Sequence, residues 1–195
     1  MTPNPETQCI AYYINRNEDI SRRGHMEEML RELGYNEIHR VVPVRHHIAH
    51  ISLSQTHKQI IEYIHQNQLS DTVYHIFEDD AELVPDIPRK DFRQEFLQQK
   101  WRPDAPIVYL GICLLTHEYT ADACSGRCTH AYMVVNPNMI LAEISAWDDH
   151  IDVIFERCFK VPVLGFAYES PEDKTHRGYF YQACSASWYT PSRIN

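Results

Sequence analysis

No apolar stretch in this 195-residue chain is long enough to cross a bilayer. The longest, Ile107 to Leu115, is about half of what a helical span requires. The first eight residues carry neither a basic cluster nor an apolar run, so no secretory leader is expected. Runs of Lys and Arg are missing as well. With 18 basic against 27 acidic side chains the net charge is −9, and a surface of that sign repels nucleic-acid phosphate. No nucleic-acid partner is expected. Internal repeats and low-complexity tracts are absent. So is any common zinc module: Cys124 and Cys128, with His117 and His130 nearby, do not have its spacing. The cysteines at 9, 113, 124, 128, 158 and 184 are therefore read as free thiols of a soluble protein in a reducing, cytoplasmic compartment.

What is present is enough for one domain with a real core. Hydrophobic residues make up 44% of the chain, near the globular average, and the length suits a single folding unit. Residues 8–14 (QCIAYYI) read as a buried strand. A helix is expected over about 19–33, where Met26, Met29, Leu30 and Leu33 share a face and Gly34 terminates it. A strand follows over 37–42, then a polar, His-rich loop over 44–53. Ser54 suits the cap of a second helix to about residue 67, and residues 72–77 (TVYHIF) suit a third strand. Further along, the pattern predicts a helix over 89–99, strands over 106–115 and 129–135, helices after Asn136 and over 148–158, and a strand over 161–168. Strands alternating with helices imply right-handed βαβ units and a mostly parallel sheet flanked by helices, with ligands bound beyond the carboxyl ends of its strands.

The third strand runs straight into Glu78-Asp79-Asp80. If extended geometry persists, Glu78 and Asp80 point the same way. Two carboxylates so placed bind a hard divalent cation, or divide their work between a cation and a sugar hydroxyl. The bland alternative is a solvated acidic turn. Similar doubles exist elsewhere: His46, His47 and His50 have helical ligand spacing but no partnering carboxylate, so a solvated loop is the better reading.

Several segments in order resemble glycosyltransferase family 25, the lipopolysaccharide and procollagen galactosyltransferase group. Residues 11–15 (AYYIN) with Arg22 and Arg23 look like its opening element, and Gln55-Thr56-His57 is similar to its Ser-His segment. Residues 76–80 (IFEDD) look like its acidic element, residues 129–132 (THAY) like a strand of that sequence, and His150-Ile151-Asp152 like a late aspartate position. A small glycosyltransferase domain of algal (chlorella) viruses is a further likeness.

The resemblance implies an α/β GT-A fold (a nucleotide-diphospho-sugar transferase), with a nucleotide half over about 8–85 and an acceptor half over about 105–190. It implies a UDP-sugar donor, a glycan or glycoprotein acceptor, and inversion at the transferred sugar. Mn²⁺ or Mg²⁺ would shield the diphosphate, which a chain at −9 otherwise repels. On the family pattern Glu78 faces the ribose and Asp80 holds the metal. A third ligand from near the C-terminus is expected at His176, against the alternative of an ordinary loop histidine, so the metal set is Glu78, Asp80 and His176. Lys174 and Arg177 flank it for phosphate, and Gly178 permits close backbone approach. Tyr13, Asn15, Arg16, Arg22, Glu78 and Asp79 fall at the nucleotide, with Tyr13 available to stack on uracil unless it packs in the core. Asp152, with Asp149 nearly one helical turn before it, is the candidate base for the acceptor hydroxyl. Two rivals are a non-catalytic nucleotide-sugar or glycan-binding module and a non-haem iron oxygenase using His150, Asp152 and His176.

Overall fold

In the computed structural model the first apolar run forms strand β1 (Gln8–Ile14), which alternates Ile10, Tyr12 and Ile14 toward one face with Ala11 and Tyr13 toward the other. The structure describes residues 8–69, 72–85, 87, 105–114, 126–146, 149–164, 168 and 176–182. Helix α1 (Ile20–Glu32) follows, burying Met26, Met29 and Leu30, and ends where Gly34 takes a φ of +84° that a Cβ would disfavour. Strand β2 (Glu37–Val41) then pairs parallel with β1.

Helix α2 (Ala49–Asn67) starts well before the expected Ser54. The His-rich stretch is in part its first turn. Its entry is held by hydroxyls from within the helix: Ser52 Oγ donates to the carbonyl of Val44, and Thr56 Oγ1 accepts from the Val44 amide at 2.9 Å. Ser54 does act as a cap, but for another helix. Its Oγ accepts the amide of Ile151 at 3.0 Å, at the start of α4 (Ile151–Cys158). That helix therefore begins at residue 151, later than the sequence pattern suggests. Helix α3 (Pro137–Ala146) opens with proline in its first turn, where the missing N–H costs nothing, and Asn136 Oδ1 accepts from Met139 N.

Strand β3 (Thr72–Glu78) lies parallel to β1 on the side opposite β2. With β5 (Ile107–Leu114), β6 (Gly126–Val134) and β7 (His176–Gly178) it completes a sheet of order β2-β1-β3-β6-β5-β7 among the described residues. The sheet is mixed. β2, β1 and β3 are parallel, as the βαβ pattern implies, whereas β6 runs antiparallel to both β3 and β5, and β7 antiparallel to β5. Residues 115–125 are too few for the helical crossover a parallel β5–β6 pair would need. A two-stranded ribbon of β4 (Ala81–Leu83) and β8 (Phe180–Gln182) follows the turn after β3. Among the described residues of the strand expected over 161–168, Val163 forms an isolated parallel bridge to Tyr109, and Pro162 has no N–H to extend a ladder. The helix expected over 89–99 lies outside the described residues.

Both faces of the sheet are buried. Helices α2, α3 and α4 cover one with Ile60, Ile61, Ile64, Ile140, Ile154 and Phe155. Helix α1 and the β4–β8 ribbon cover the other with Met26, Leu30, Ala81 and Phe180. No helix among the described residues is long and apolar enough to cross a membrane.

The free-thiol reading fails at one pair. Cys113 on β5 and Cys128 on β6 form a disulfide across adjacent strands. Cys128 sits at φ +78°, in the left-handed region, a conformation the cross-link helps to hold. The bond closes a loop with a sequence separation of 15, for which chain entropy gives about 3 kcal/mol of stabilisation. Reduction, or Cys113→Ser with Cys128→Ser, is expected to lower Tm by roughly 6–12 °C. A scan with and without dithiothreitol checks this, and coincident curves would disprove the cross-link's contribution.

Candidate functional site

The carboxyl ends of β1 and β3 lie side by side, with Ile14 in register with Glu78. Asn15, just beyond β1, is buried, and its Nδ2 donates to Asp79 Oδ2 at 2.8 Å and to the Asp19 carbonyl at 3.1 Å. Arg22 on α1 donates to the other Asp79 oxygen at 3.0 Å. Three residues expected at a nucleotide thus hold one another, and Asp79 serves as the clasp between β1, α1 and the end of β3.

The carboxylates on either side of it are differently placed. Extended geometry does not persist past Glu78: the chain turns at 79–80 into β4, and this turn sets where the Asp80 carboxyl lies. Glu78 keeps only 14% of its side chain exposed. Its Oε1 accepts from Thr129 Oγ1 at 2.6 Å and lies 3.4 Å from His57 Nε2, while its Oε2 takes no hydrogen bond among the described residues. Asp80 Oδ2 accepts from Gln182 Nε2 at 2.9 Å, and its Oδ1 is buried with no partner. These surroundings push the two acids apart. Burial raises Glu78, but His57 and the Thr129 hydroxyl outweigh it and hold Glu78 below the usual glutamate range. Burial, and then the Glu78 charge, push Asp80 up to about 7 despite the Gln182 hydrogen bond.

Glu78 and Thr129 line a cleft of about 140 Å³ together with Asp152, His150, His50 and Gln182. The His50 and His150 rings stack at 3.7 Å. Asp152 lies in the first turn of α4, where its Oδ1 accepts from Val153 N at 2.9 Å. The structure therefore brings Asp152 and Glu78 to one cavity although 74 positions of sequence separate them (152 − 78). Asp149 does not line it: Oδ2 accepts from Arg157 at 3.0 Å and Oδ1 from the His150 amide. Asp149, a candidate base only for lying nearly one helical turn before Asp152, is paired with Arg157 of α4.

Other expected contacts fall elsewhere. Tyr13 is 1% exposed in the core under α1, its hydroxyl donates to Glu27 at 2.7 Å, and burial followed by that carboxylate raises it to about 12. It has no face free for a base. Tyr12 is buried too, stacked on His39. Arg16 Nε donates to Asp19 Oδ2 at 2.7 Å and steadies the start of α1. Arg177 and the backbone of His176 belong to β7, opposite Ile112 and Cys113 of β5. Lys174 lies outside the described residues, as does the His176 side chain. Gly178 does permit a close approach, but to the protein itself: a Cβ there would meet the Leu110 carbonyl at 2.5 Å.

The donor set suits a hard divalent cation. Among the described residues Glu78 Oε2 and Asp80 Oδ1 are carboxylate oxygens without hydrogen bonds, and leaving Asp80 Oδ1 buried and unpaired is costly unless something completes it. No third ligand joins them among the described residues. The three metal-competent groups that do gather are Cys113, Cys128 and His130, whose sulfurs are spent in the disulfide. The oxygenase reading loses its scaffold, because His150 and Asp152 stand on a helix-flanked mixed sheet rather than in a β-barrel.

No protein-family model matches the sequence, and no curated protein does. One solved structure similar to this chain is described as a glycosyltransferase involved in the glycosylation of the major capsid of PBCV-1. The two superpose with a TM-score of 0.51 and 11% identity, over 78% of this chain and 76% of that one. The fold is glycosyltransferase-like. At that identity the likeness speaks for the arrangement of strands and helices, and it does not single out family 25.

Sequence reasoning marked Glu78, Asp80 and Asp152 but gave no task to His57, Thr129, Tyr132 or Gln182. The first three lay in segments noticed only for their likeness to family 25, and what binds them is contact across three elements. Gln182, on the short strand β8, carried no signal at all.

Proposed function

We propose that this chain is a divalent-metal-dependent glycosyltransferase that moves a sugar from a UDP-sugar to a hydroxyl of a glycan or glycoprotein acceptor, with inversion. The observation that carries the reading is the cleft itself. At the carboxyl end of β3, Glu78 shares a cavity with a second acid, Asp152, on a separate helix, and Asp80, two residues after Glu78, keeps a buried oxygen without a partner. Open α/β sheets bind ligands at this edge.

Glu78 and Asp80 would hold Mn²⁺ or Mg²⁺, with Glu78 also within reach of a donor ribose, and His176 is the proposed further ligand. Such a cation supplies electrostatic stabilisation of the leaving diphosphate. The chain does the rest. Thr129 fixes Glu78, Gln182 fixes Asp80, and the Asn15–Arg22–Asp79 clasp keeps the turn between them from shifting. Asp152, in the same cleft as Glu78, takes the proton of the acceptor hydroxyl as that oxygen attacks the anomeric carbon from the side opposite the diphosphate.

A thermal-shift panel of nucleotides with and without Mn²⁺ tests this. Ligand at about a hundred times its Kd stabilises by ~2.7 kcal/mol, or roughly 5–10 °C for a chain this long. UDP is expected to shift Tm only with metal present. An equal shift in EDTA counts against the cation, and shifts without sugar transfer to any acceptor would favour the binding-module alternative.

A further inference from the structure

The two oxygens of Glu78 are treated differently by the protein. Oε1 faces inward to Thr129 and His57, and Oε2 is left unbonded among the described residues. His57 is fully buried in α2, and its Nδ1 lies 2.8 Å from the Tyr132 hydroxyl, also fully buried, on β6. Its Nε2 has no hydrogen-bond partner among the described residues and lies 3.4 Å from Glu78 Oε1.

The two ring nitrogens constrain each other. Were the proton on Nδ1, donated to the Tyr132 oxygen, a bare Nε2 lone pair would face a carboxylate at 3.4 Å, an arrangement that is electrostatically repulsive. With the Tyr132 hydroxyl donating to Nδ1, the proton sits on Nε2, 3.4 Å from Glu78 Oε1, where it attracts that oxygen electrostatically without closing a hydrogen bond. Phe155 packs edge-on against the Tyr132 ring, and the His57 ring stacks along it, so neither can swing away.

Resting on the proposed function, we infer that His57, oriented by Tyr132, is a positioning residue. With Thr129 it pins one oxygen of Glu78 from inside the fold, so that the other is presented to the cation or the donor ribose. The two oxygens are thereby committed to separate tasks. Residues 57, 129 and 132 come from α2 and β6.

The test uses the full chain, with two readouts. Imidazole ¹⁵N NMR of the metal-free protein, with His57 identified by its loss in His57→Gln, is expected to show the Nε2–H tautomer and a shift of that signal in Glu78→Gln. An Nδ1–H tautomer overturns the inference. In the second readout, Mn²⁺-dependent UDP binding is titrated calorimetrically. Tyr132→Phe is expected to weaken it about tenfold and His57→Leu about ten- to a hundredfold, while His57→Gln, which keeps an N–H toward Glu78, recovers most of the affinity. Wild-type affinity in both Tyr132→Phe and His57→Leu overturns it, as does a His57→Gln loss equal to that of His57→Leu. Because the tautomer is read without metal or nucleotide, a wild-type protein that binds neither would sink the proposed function while the NMR result still judged His57.

Discussion

Asp80→Asn is expected to lower sugar transfer by about a hundredfold to a thousandfold and, in the same protein, to raise the melting temperature at pH 8. The two effects share one cause. The folded chain holds Asp80 up near 7 because burial and the Glu78 charge oppose its ionisation. An unfolded aspartate titrates near 3.9. Between those values the native state binds a proton that the unfolded state has released, so this site's contribution to stability is full at low pH and is lost as pH rises toward 7. At pH 8 the charge is present in both states and the fold bears a penalty on the order of 2–4 kcal/mol, which a neutral amide of the same shape relieves. The expected gain is roughly 4–16 °C at pH 8, shrinking as pH falls. The amide also removes the anionic oxygen that a cation requires. Melting curves from pH 5 to 8, set beside transfer rates, check both halves. A variant that is less stable at pH 8 contradicts the electrostatic account, and one that transfers at the wild-type rate contradicts Asp80 as a ligand.

Asp152→Asn separates binding from chemistry. Asp152 shares the cleft with Glu78 but stands on α4, a different element from the turn that carries Asp80. Its loss should leave Mn²⁺-dependent UDP affinity within about twofold and reduce transfer by about 10²–10⁴, the usual contribution of a positioned base. The structural risk is small, because an asparagine Oδ1 still accepts the Val153 amide as the carboxylate does. Asp149→Asn is the matched control. Its carboxylate is occupied by Arg157, so turnover should stay near wild type. Unchanged transfer in Asp152→Asn would remove it as the base, and a large loss in Asp149→Asn would move that role one helical turn back.

The parallel half of the sheet was legible because β1 and β3 are short apolar runs with a helix between them, and period and punctuation suffice to mark such elements. The acidic triplet stood out for the same reason, a charge cluster at the end of an apolar strand. What the pattern could not supply was pairing at a distance. Ser54 has the chemistry of a cap, yet which helix it caps depends on α4 packing against α2. Tyr13 has a ring suited to stacking, but strand alternation turns it into the core, and Glu27 on α1 takes its hydroxyl. Cys113 and Cys128 become partners only because β5 and β6 are antiparallel neighbours, and β7 is placed by the close backbone approach of Gly178 to β5. At the site, Glu78 and Asp80 were readable as a pair. Their opposite shifts were not, since His57 and Thr129 on two other elements hold Glu78 down, while burial and the Glu78 charge push Asp80 up.

The central claim is that the unfilled oxygens of residues 78 and 80 exist to meet a cation and its sugar-nucleotide. Crystals grown with Mn²⁺ and UDP, measured at the manganese absorption edge, test it most directly. The account predicts an anomalous peak bonded to Asp80 Oδ1, with Glu78 Oε2 on the same ion or on the ribose. Manganese and nucleotide seated elsewhere, with both carboxylates touching only water, would contradict it.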